Sequence, residues 1–220
     1  VQRPAVNLDS FHDPYIQQLR SWYCAHTYEF WVLDITTDLP IPTFVAILCS
    51  TNEATEHLIL GAGCHSDPHI ALLRAITEMN QLATPFLTNR QSDCTRLKQS
   101  RHTQTLHWLT TATRANQPYL LPNPRTTPRN RQDYNEEWSY DILDDLQQAQ
   151  QAIEQQGMEV LVLAQTRPDI GMPVVKVIIP GLRPHLPRFA AGRLYEVPVA
   201  LEWRKKPLRE DELNPLAFPF

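Results

Sequence analysis

The sequence predicts an α+β fold, a mainly antiparallel sheet packed against helices. Three observations carry this. Residues 30–36 and 43–50 read as strands, and the link between them, Thr37-Asp-Leu-Pro-Ile-Pro42, holds two prolines that demand a turn, hence a hairpin. A third strand, residues 57–60, follows closely. Long segments with apolar residues at helical spacing then supply cover for one sheet face.

Length and composition bound the possibilities. A chain of 220 residues can build one good core or at most two small ones, and an apolar content of 42% is enough to fold. The net charge of −4 argues against a general nucleic-acid or membrane-surface role. No apolar run approaches the roughly 18 residues of a membrane span. Cys24, Cys49, Cys64 and Cys94 are far apart and form no Cys-x-x-Cys, which fits reduced thiols in the cytoplasm. The opening Val1-Gln-Arg-Pro has neither an initiator Met nor a signal peptide, so the chain is expected to be a piece of a longer polypeptide.

Taken in order, residues 13–26 predict a helix, capped by Asp13 with Pro14 in its first turn, and with Tyr15, Leu19, Trp22, Tyr23 and His26 on one face. After the three strands comes Gly61-Ala-Gly63, then a helix over about 67–88 and another over about 93–114, with Leu97, Leu106, Trp108 and Leu109. Residues 115–140 are rich in Pro and Arg. A loop of this length is either functional, its arginines meeting an acidic or phosphorylated partner, or simply solvated. Residues 141–156 predict a helix with Ile142, Leu146, Ala149 and Ile153 inward, stopped by Gly157. Residues 159–166 and 174–179 are almost wholly apolar, which predicts strands buried on both faces. Residues 192–199 are expected to form a short strand. The apolar end of the chain, Asn214-Pro-Leu-Ala-Phe-Pro-Phe220, should dock against something. There is also an internal echo: Val32 to Pro42 matches Val162 to Pro173 with one residue inserted. Either two related hairpins lie in one sheet or the likeness is chance.

The candidate chemistry centres on the helix at 67–88. Ala71, Arg74, Glu78 and Gln81 fall on one face, opposite Leu72, Ile76, Met79 and Ala83, with Ala75 at the border. A carboxylate and an amide one turn apart suit a hydrated Mg²⁺ and a nucleotide. The plainer alternative is a solvent-facing Arg74–Glu78 pair. Gly61-Ala-Gly63 is either an anion cradle at a helix start or an ordinary turn. His65 and His69 have a zinc-like spacing, but Pro68 intervenes and no Glu lies between them. Lys176, alone in its apolar strand, either meets a phosphate or points to water from an edge.

Four stretches together resemble the YcaO family. They are Asp34-Ile-Thr-x-Asp-x-x-Ile-Pro42, Gly61-x-Gly-x-His-x-Asp-Pro68 with Ala71-x-x-Arg-Ala-x-x-Glu-x-x-Gln81, Pro173-Val-Val-Lys-Val-x-x-Pro-Gly181, and Gly192-Arg-Leu-Tyr-x-Val-Pro198. The resemblance covers nearly the whole chain and implies a YcaO-like fold, with residues 1–220 as the C-terminal part of the domain and a Pro-rich tail at about 204–220. It implies ATP-dependent conversion of Cys, Ser or Thr in a ribosomally made precursor peptide to azolines, with ATP and Mg²⁺ as cofactors.

By the same resemblance Glu78 and Gln81 serve Mg²⁺ and nucleotide, Arg74 and Lys176 are nucleotide contacts, and Pro215, Pro219 and Phe220 belong to a tail that orders the active site. Ala217 stands where the family's tail pattern has a central Pro. A Ser-x-x-x-Glu-x-x-Glu helix that should precede this region has no counterpart, so the chain alone is expected to hold only a portion of the ATP site. The implied partners are the precursor peptide, a leader-peptide-binding (E1-like) domain or protein, and a second copy in a homodimer, with no nucleic acid and no membrane. Thioamide formation and a non-catalytic peptide-docking scaffold are the alternatives.

Overall fold

The structure, a computed structural model, describes residues 1–51, 56–87, 103–135, 139, 141–183 and 189–216. It forms two compact units. The first comprises Val1–Thr36, Ile41–Glu137 and Asn214–Phe220; the second comprises Thr37–Pro40 and Trp138–Leu213.

In the first unit, α1 (Pro14–Ala25) leads into β1 (Tyr28–Asp34), β2 (Thr43–Ser50), β3 (Ile59–Cys64), α2 (Pro68–Leu87) and α3 (Thr103–Thr111). The sheet is antiparallel throughout, in the order β1-β2-β3. Central β2 is buried on both faces rather than on one, with Phe44, Ala46, Ile47, Leu48 and Cys49 all inaccessible. Desolvation pushes the Cys49 thiol up to about 11, which leaves it protonated and unreactive. The described cysteines, Cys24, Cys49 and Cys64, are free thiols, and Cys94 lies outside the described residues. Trp108 of α3 is fully buried and donates its indole N–H to the Leu58 carbonyl at 2.8 Å; Leu97 lies outside the described residues.

Helix α1 is capped as expected: Asp13 accepts from the Tyr15 N–H at 2.7 Å. Its buried stripe is turned, however. Ile16 and Tyr23 are buried, with Leu19 packed beside them, whereas Tyr15 and Trp22 are exposed. The stripe runs Ile16-Leu19-Tyr23 because those spacings keep one face, while Tyr15 sits about 100° away. Trp22 instead stacks on exposed His26, with ring centroids 4.1 Å apart.

The long loop is neither free nor empty of structure. Asn123 N–H reaches the Arg3 carbonyl at 2.9 Å, Arg129 N–H the Ala5 carbonyl at 2.7 Å, and Asn7 N–H the Arg129 carbonyl at 2.8 Å. The Arg129 side chain lies 3.9 Å from buried Asp34, so this arginine already has an acidic neighbour within the chain. Of the apolar segment at 214–220 the described part is held: Asn214 donates to the Gln117 side chain at 2.8 Å and Leu216 packs on the core, while residues 217–220 lie outside the described residues.

The second unit holds α4 (Ile142–Gln155), β4 (Leu161–Ala164), β5 (Val175–Ile178) and α5 (Arg193–Ala200). Gly157, at φ 73°, ends α4 in the left-handed conformation. Three expectations are corrected here. Strands β4 and β5 are exposed along their length, Val162 at 63% and Val175 at 62%, rather than buried on both faces. Of the apolar set expected inward on α4, Ile153 is buried, but Ile142 is 76% and Leu146 62% exposed. A two-stranded sheet and two helices are too little structure to cover such faces. Residues 193–200 form a helix, not a strand, which Gly192 opens at φ 121° with its carbonyl accepting from Tyr195 and Glu196.

The two hairpins of the internal echo lie in separate sheets, not one. Yet they close with the same bonds. Thr36 Oγ1 accepts from Thr43 N–H and Thr166 Oγ1 from Val174 N–H, each at 3.1 Å. One residue back, Ile35 N–H meets the Thr43 carbonyl at 2.9 Å and Gln165 N–H the Val174 carbonyl at 2.8 Å.

Burial alone would push the Asp13 carboxyl up, but the hydrogen bond from His69 and the Tyr15 and Ile16 N–H groups outweigh it and hold the carboxyl below its usual value. A depressed carboxylate stabilises the fold above its unfolded value and loses that contribution as pH falls through the folded one. Asp13→Ala should therefore cost about 1 kcal/mol at neutral pH. The gap to the parent should close as pH drops below about 3.9, as read by urea denaturation at several pH values.

Candidate functional site

The site is set by how α2 lies on β3. Strand β3 runs through Gly61 and Gly63 to Cys64, so the glycines form neither a turn nor an anion cradle. Cross-strand pairing puts Gly63 beside Phe44 and Gly61 beside Ala46, on one face of the sheet. A Cβ on Gly61 would lie 2.1 Å from the Met79 backbone nitrogen, and one on Gly63 2.1 Å from the Ala71 carbonyl oxygen. Helix and strand therefore touch backbone to backbone. Leu72, Ala75, Ile76, Met79 and Ala83 fill the contact and are fully buried as expected. Ala71, grouped with the polar set by its spacing, is also buried, because Gly63 brings the sheet up against it.

This close approach leaves Arg74, Glu78 and Gln81 exposed together on the rim of α2. The expected i,i+4 ion pair does not form among the described residues. Each charged group instead covers the open edge of β3. Arg74 Nη1 donates to the Cys64 carbonyl at 3.0 Å, and Glu78 Oε2 accepts from the Ala62 N–H at 2.5 Å. Such bonds quench groups that would otherwise invite another strand. Glu78 Oε1 and the Gln81 amide make no hydrogen bond among the described residues. Asn80, one step round the helix, is occupied: it accepts from the Tyr23 hydroxyl at 2.6 Å and donates to Tyr15 at 3.1 Å. Burial, with Tyr15 and Tyr28 nearby, pushes the Tyr23 hydroxyl up to about 12, so it keeps its proton.

The histidines are not a metal pair. His65 precedes α2 and accepts from the Asp67 N–H at 2.9 Å, while His69 Nε2 lies 2.6 Å from Asp13. No group of three His, Cys, Asp or Glu side chains gathers among the described residues. Glu78 and Gln81 nevertheless fit a hydrated Mg²⁺, which binds through one or two protein oxygens and keeps several waters. The free Oε1 and the exposed amide, one turn apart, supply that donor set.

The remaining candidates are placed unevenly. Lys176 belongs to the second unit and is exposed on β5. Pro215 is exposed in the first unit, between the docked Asn214 and Leu216. Pro219 and Phe220 lie outside the described residues. Two motif residues far apart in sequence meet within the second unit: Arg193 Nη2 lies 2.5 Å from Asp38 Oδ1. Sequence reasoning missed the Ala62 N–H, which carries no side-chain signal; the alternation Gly-Ala-Gly was the one available hint that this strand's edge meets a helix.

Residues 1–183 match the profile of the YcaO cyclodehydratase family, described as ATP- and Mg²⁺-binding. The chain belongs to that family. It is similar over its full length to the heterocyclase TruD, with 43% identity and a TM-score of 0.88, covering 29% of that chain. A heterocyclase in complex with substrate and cofactor matches over the full length too, with 44% identity and a TM-score of 0.87, covering 28% of that chain. YcaO from Methanopyrus kandleri, bound with AMPPCP and Mg²⁺, shares the fold at 17% identity and a TM-score of 0.58, over 82% of this chain and 45% of that one. An uncharacterized protein of Methanothermobacter thermautotrophicus is 26% identical over 162 residues, 70% of this chain and 39% of that protein. The chain thus spans less than half the length of these relatives.

If backbone contact sets the site, a single methyl group should disturb it. Gly63→Ala must move helix or strand, and is expected to cost at least about 2 kcal/mol in urea denaturation.

Proposed function

We propose that this chain is the C-terminal part of a YcaO domain that carries out ATP-dependent cyclodehydration of Cys, Ser or Thr in a ribosomally made precursor peptide. The observation that carries this reading is the exposed Arg74–Glu78–Gln81 rim, with Glu78 Oε1 free of protein partners among the described residues. The likeness to heterocyclases at 43–44% identity supports azoline as the product. The exposed apolar faces of the second unit support a longer domain whose remainder covers them.

In the reaction, the side-chain sulfur or oxygen gives up its proton to solvent and adds to the preceding amide carbonyl, and the carbonyl oxygen takes up the electron pair. ATP with Mg²⁺ supplies the phosphoryl group that turns this oxygen into a leaving group. Loss of phosphate and of the amide proton then leaves the C=N bond of the azoline. Glu78 holds the metal through a carboxylate oxygen, and Gln81 contacts metal or nucleotide. Arg74 keeps donors beyond the Cys64 carbonyl for a phosphate oxygen, in the planar geometry such anions favour. By the family resemblance alone, Lys176 of the second unit is also assigned a phosphate contact. The tail with Pro215, Pro219 and Phe220 orders the site. The peptide is delivered by an E1-like leader-binding domain or protein, and the enzyme works as a cytoplasmic homodimer. Among the described residues no helix is long and apolar enough to cross a membrane.

Calorimetric titration of Mg-ATP into the complete YcaO domain carrying this chain tests the reading. The parent should bind. Glu78→Ala should weaken binding beyond the roughly 10–100-fold typical of losing an outer-shell partner. A well-folded parent that binds no Mg-ATP would leave a peptide-docking scaffold as the better account.

A further inference from the structure

We propose that the backbone N–H of Ala62 is a positioning donor for the metal-binding carboxylate: it holds Glu78 Oε2, so that Glu78 meets Mg²⁺ through Oε1 alone. This rests on the reading of Glu78 as a Mg²⁺ ligand. Three features of the structure lead to it.

First, the N–H is free for the purpose. Among the described residues β3 is an edge strand of its sheet. The bond from His65 N–H to the Pro42 carbonyl, at 3.2 Å, continues the ladder at odd-numbered residues. Bonding alternates along an antiparallel pair, so even-numbered Ala62 faces outward. Second, the bond is short and charge-assisted, 2.5 Å from Ala62 N to Glu78 Oε2. Third, its geometry is imposed from below. Gly61 and Gly63 flank Ala62, and both press against the backbone of α2. The donor and the helix that carries Glu78 therefore cannot drift apart independently.

The consequences for metal binding are specific. With Oε2 engaged, the carboxylate presents one oxygen, which suits the octahedral and largely hydrated Mg²⁺ better than the bidentate grip that larger cations accept. The rotamer of an exposed, flexible Glu is fixed before the metal arrives, so less side-chain freedom is lost on binding. One helical turn earlier, Arg74 acts on the Cys64 carbonyl in the matching way and keeps the strand edge in register.

The position allows a clean test. The Ala62 side chain is exposed and its N–H serves no ladder bond among the described residues, so proline, tolerated where an edge N–H points outward, removes the donor and turns Glu78 Oε2 away from the strand edge. Ala62→Val keeps the N–H and is the conservative comparison. In the complete YcaO domain, at fixed ATP, Ala62→Pro should raise the Mg²⁺ needed for half-saturation about tenfold. Its thermal midpoint should stay near that of Ala62→Val, and Ala62→Val should titrate close to the parent. A second measurement needs neither ligand nor the proline variant: amide exchange at Ala62 in the ligand-free protein should be slow in the parent and faster in Glu78→Ala. The proposal is overturned if Ala62→Pro titrates like Ala62→Val, or if Ala62 exchange is indifferent to Glu78→Ala. A parent that fails to bind Mg-ATP removes the functional reading as well; a parent that binds while both variants behave alike removes the positioning role alone.

Discussion

The structure of the first unit depends on one steric constraint, the absence of side chains at Gly61 and Gly63. With a methyl group at either place, α2 would stand off the sheet. Instead its backbone rests on that of β3, its apolar face seals the sheet, and its rim meets the strand edge. Arg74 and Glu78 reach past the contact to groups that a sheet edge leaves open. At the other edge residues 4–6 lie along β1, with Val6 N–H on the Val32 carbonyl at 2.8 Å and Asp34 N–H on the Pro4 carbonyl at 3.0 Å. The sheet thus ends on one side in chain and on the other in the Arg74 and Glu78 side chains.

Much of this was legible in the residues, and the reasons are local. The Thr37–Pro42 turn, the Asp13 cap, the Gly157 stop and the period of Leu72, Ile76, Met79 and Ala83 each act over a few neighbours, and each stands in the structure. What failed depended on distant partners. The glycines read as a turn because nothing nearby reveals a helix lying on them. Ala71 read as rim because spacing cannot show how close the sheet comes. Arg74 and Glu78 read as a solvent pair because competing backbone groups on another element carry no mark in sequence. The candidate set on α2 itself was visible through spacing, whereas the backbone groups its side chains meet were not.

The second unit illustrates the opposite error. Apolar runs such as Leu161–Ala164 and Val175–Ile178 record that these faces are meant to be covered, but not by what. Residues 192–199 read as a strand because Val197, Pro198 and Val199 favour extension. The left-handed Gly192, the bond from Arg193 to Asp38 and the burial of Val197 together outweigh that preference.

The paired hairpins have a further meaning. In each, a threonine hydroxyl fixes where the returning strand begins, and so sets the alignment of the two arms without reference to the residues along them. Such a module carries its own ruler. Arms of different character can then share one closure, which is what β1–β2 and β4–β5 display: one pair threads a packed interior, the other offers an uncovered apolar surface. A motif whose alignment is settled at the turn can be reused wherever a two-stranded tongue is needed, and its sequence can diverge until a hydroxyl and a proline are nearly all that remain in common.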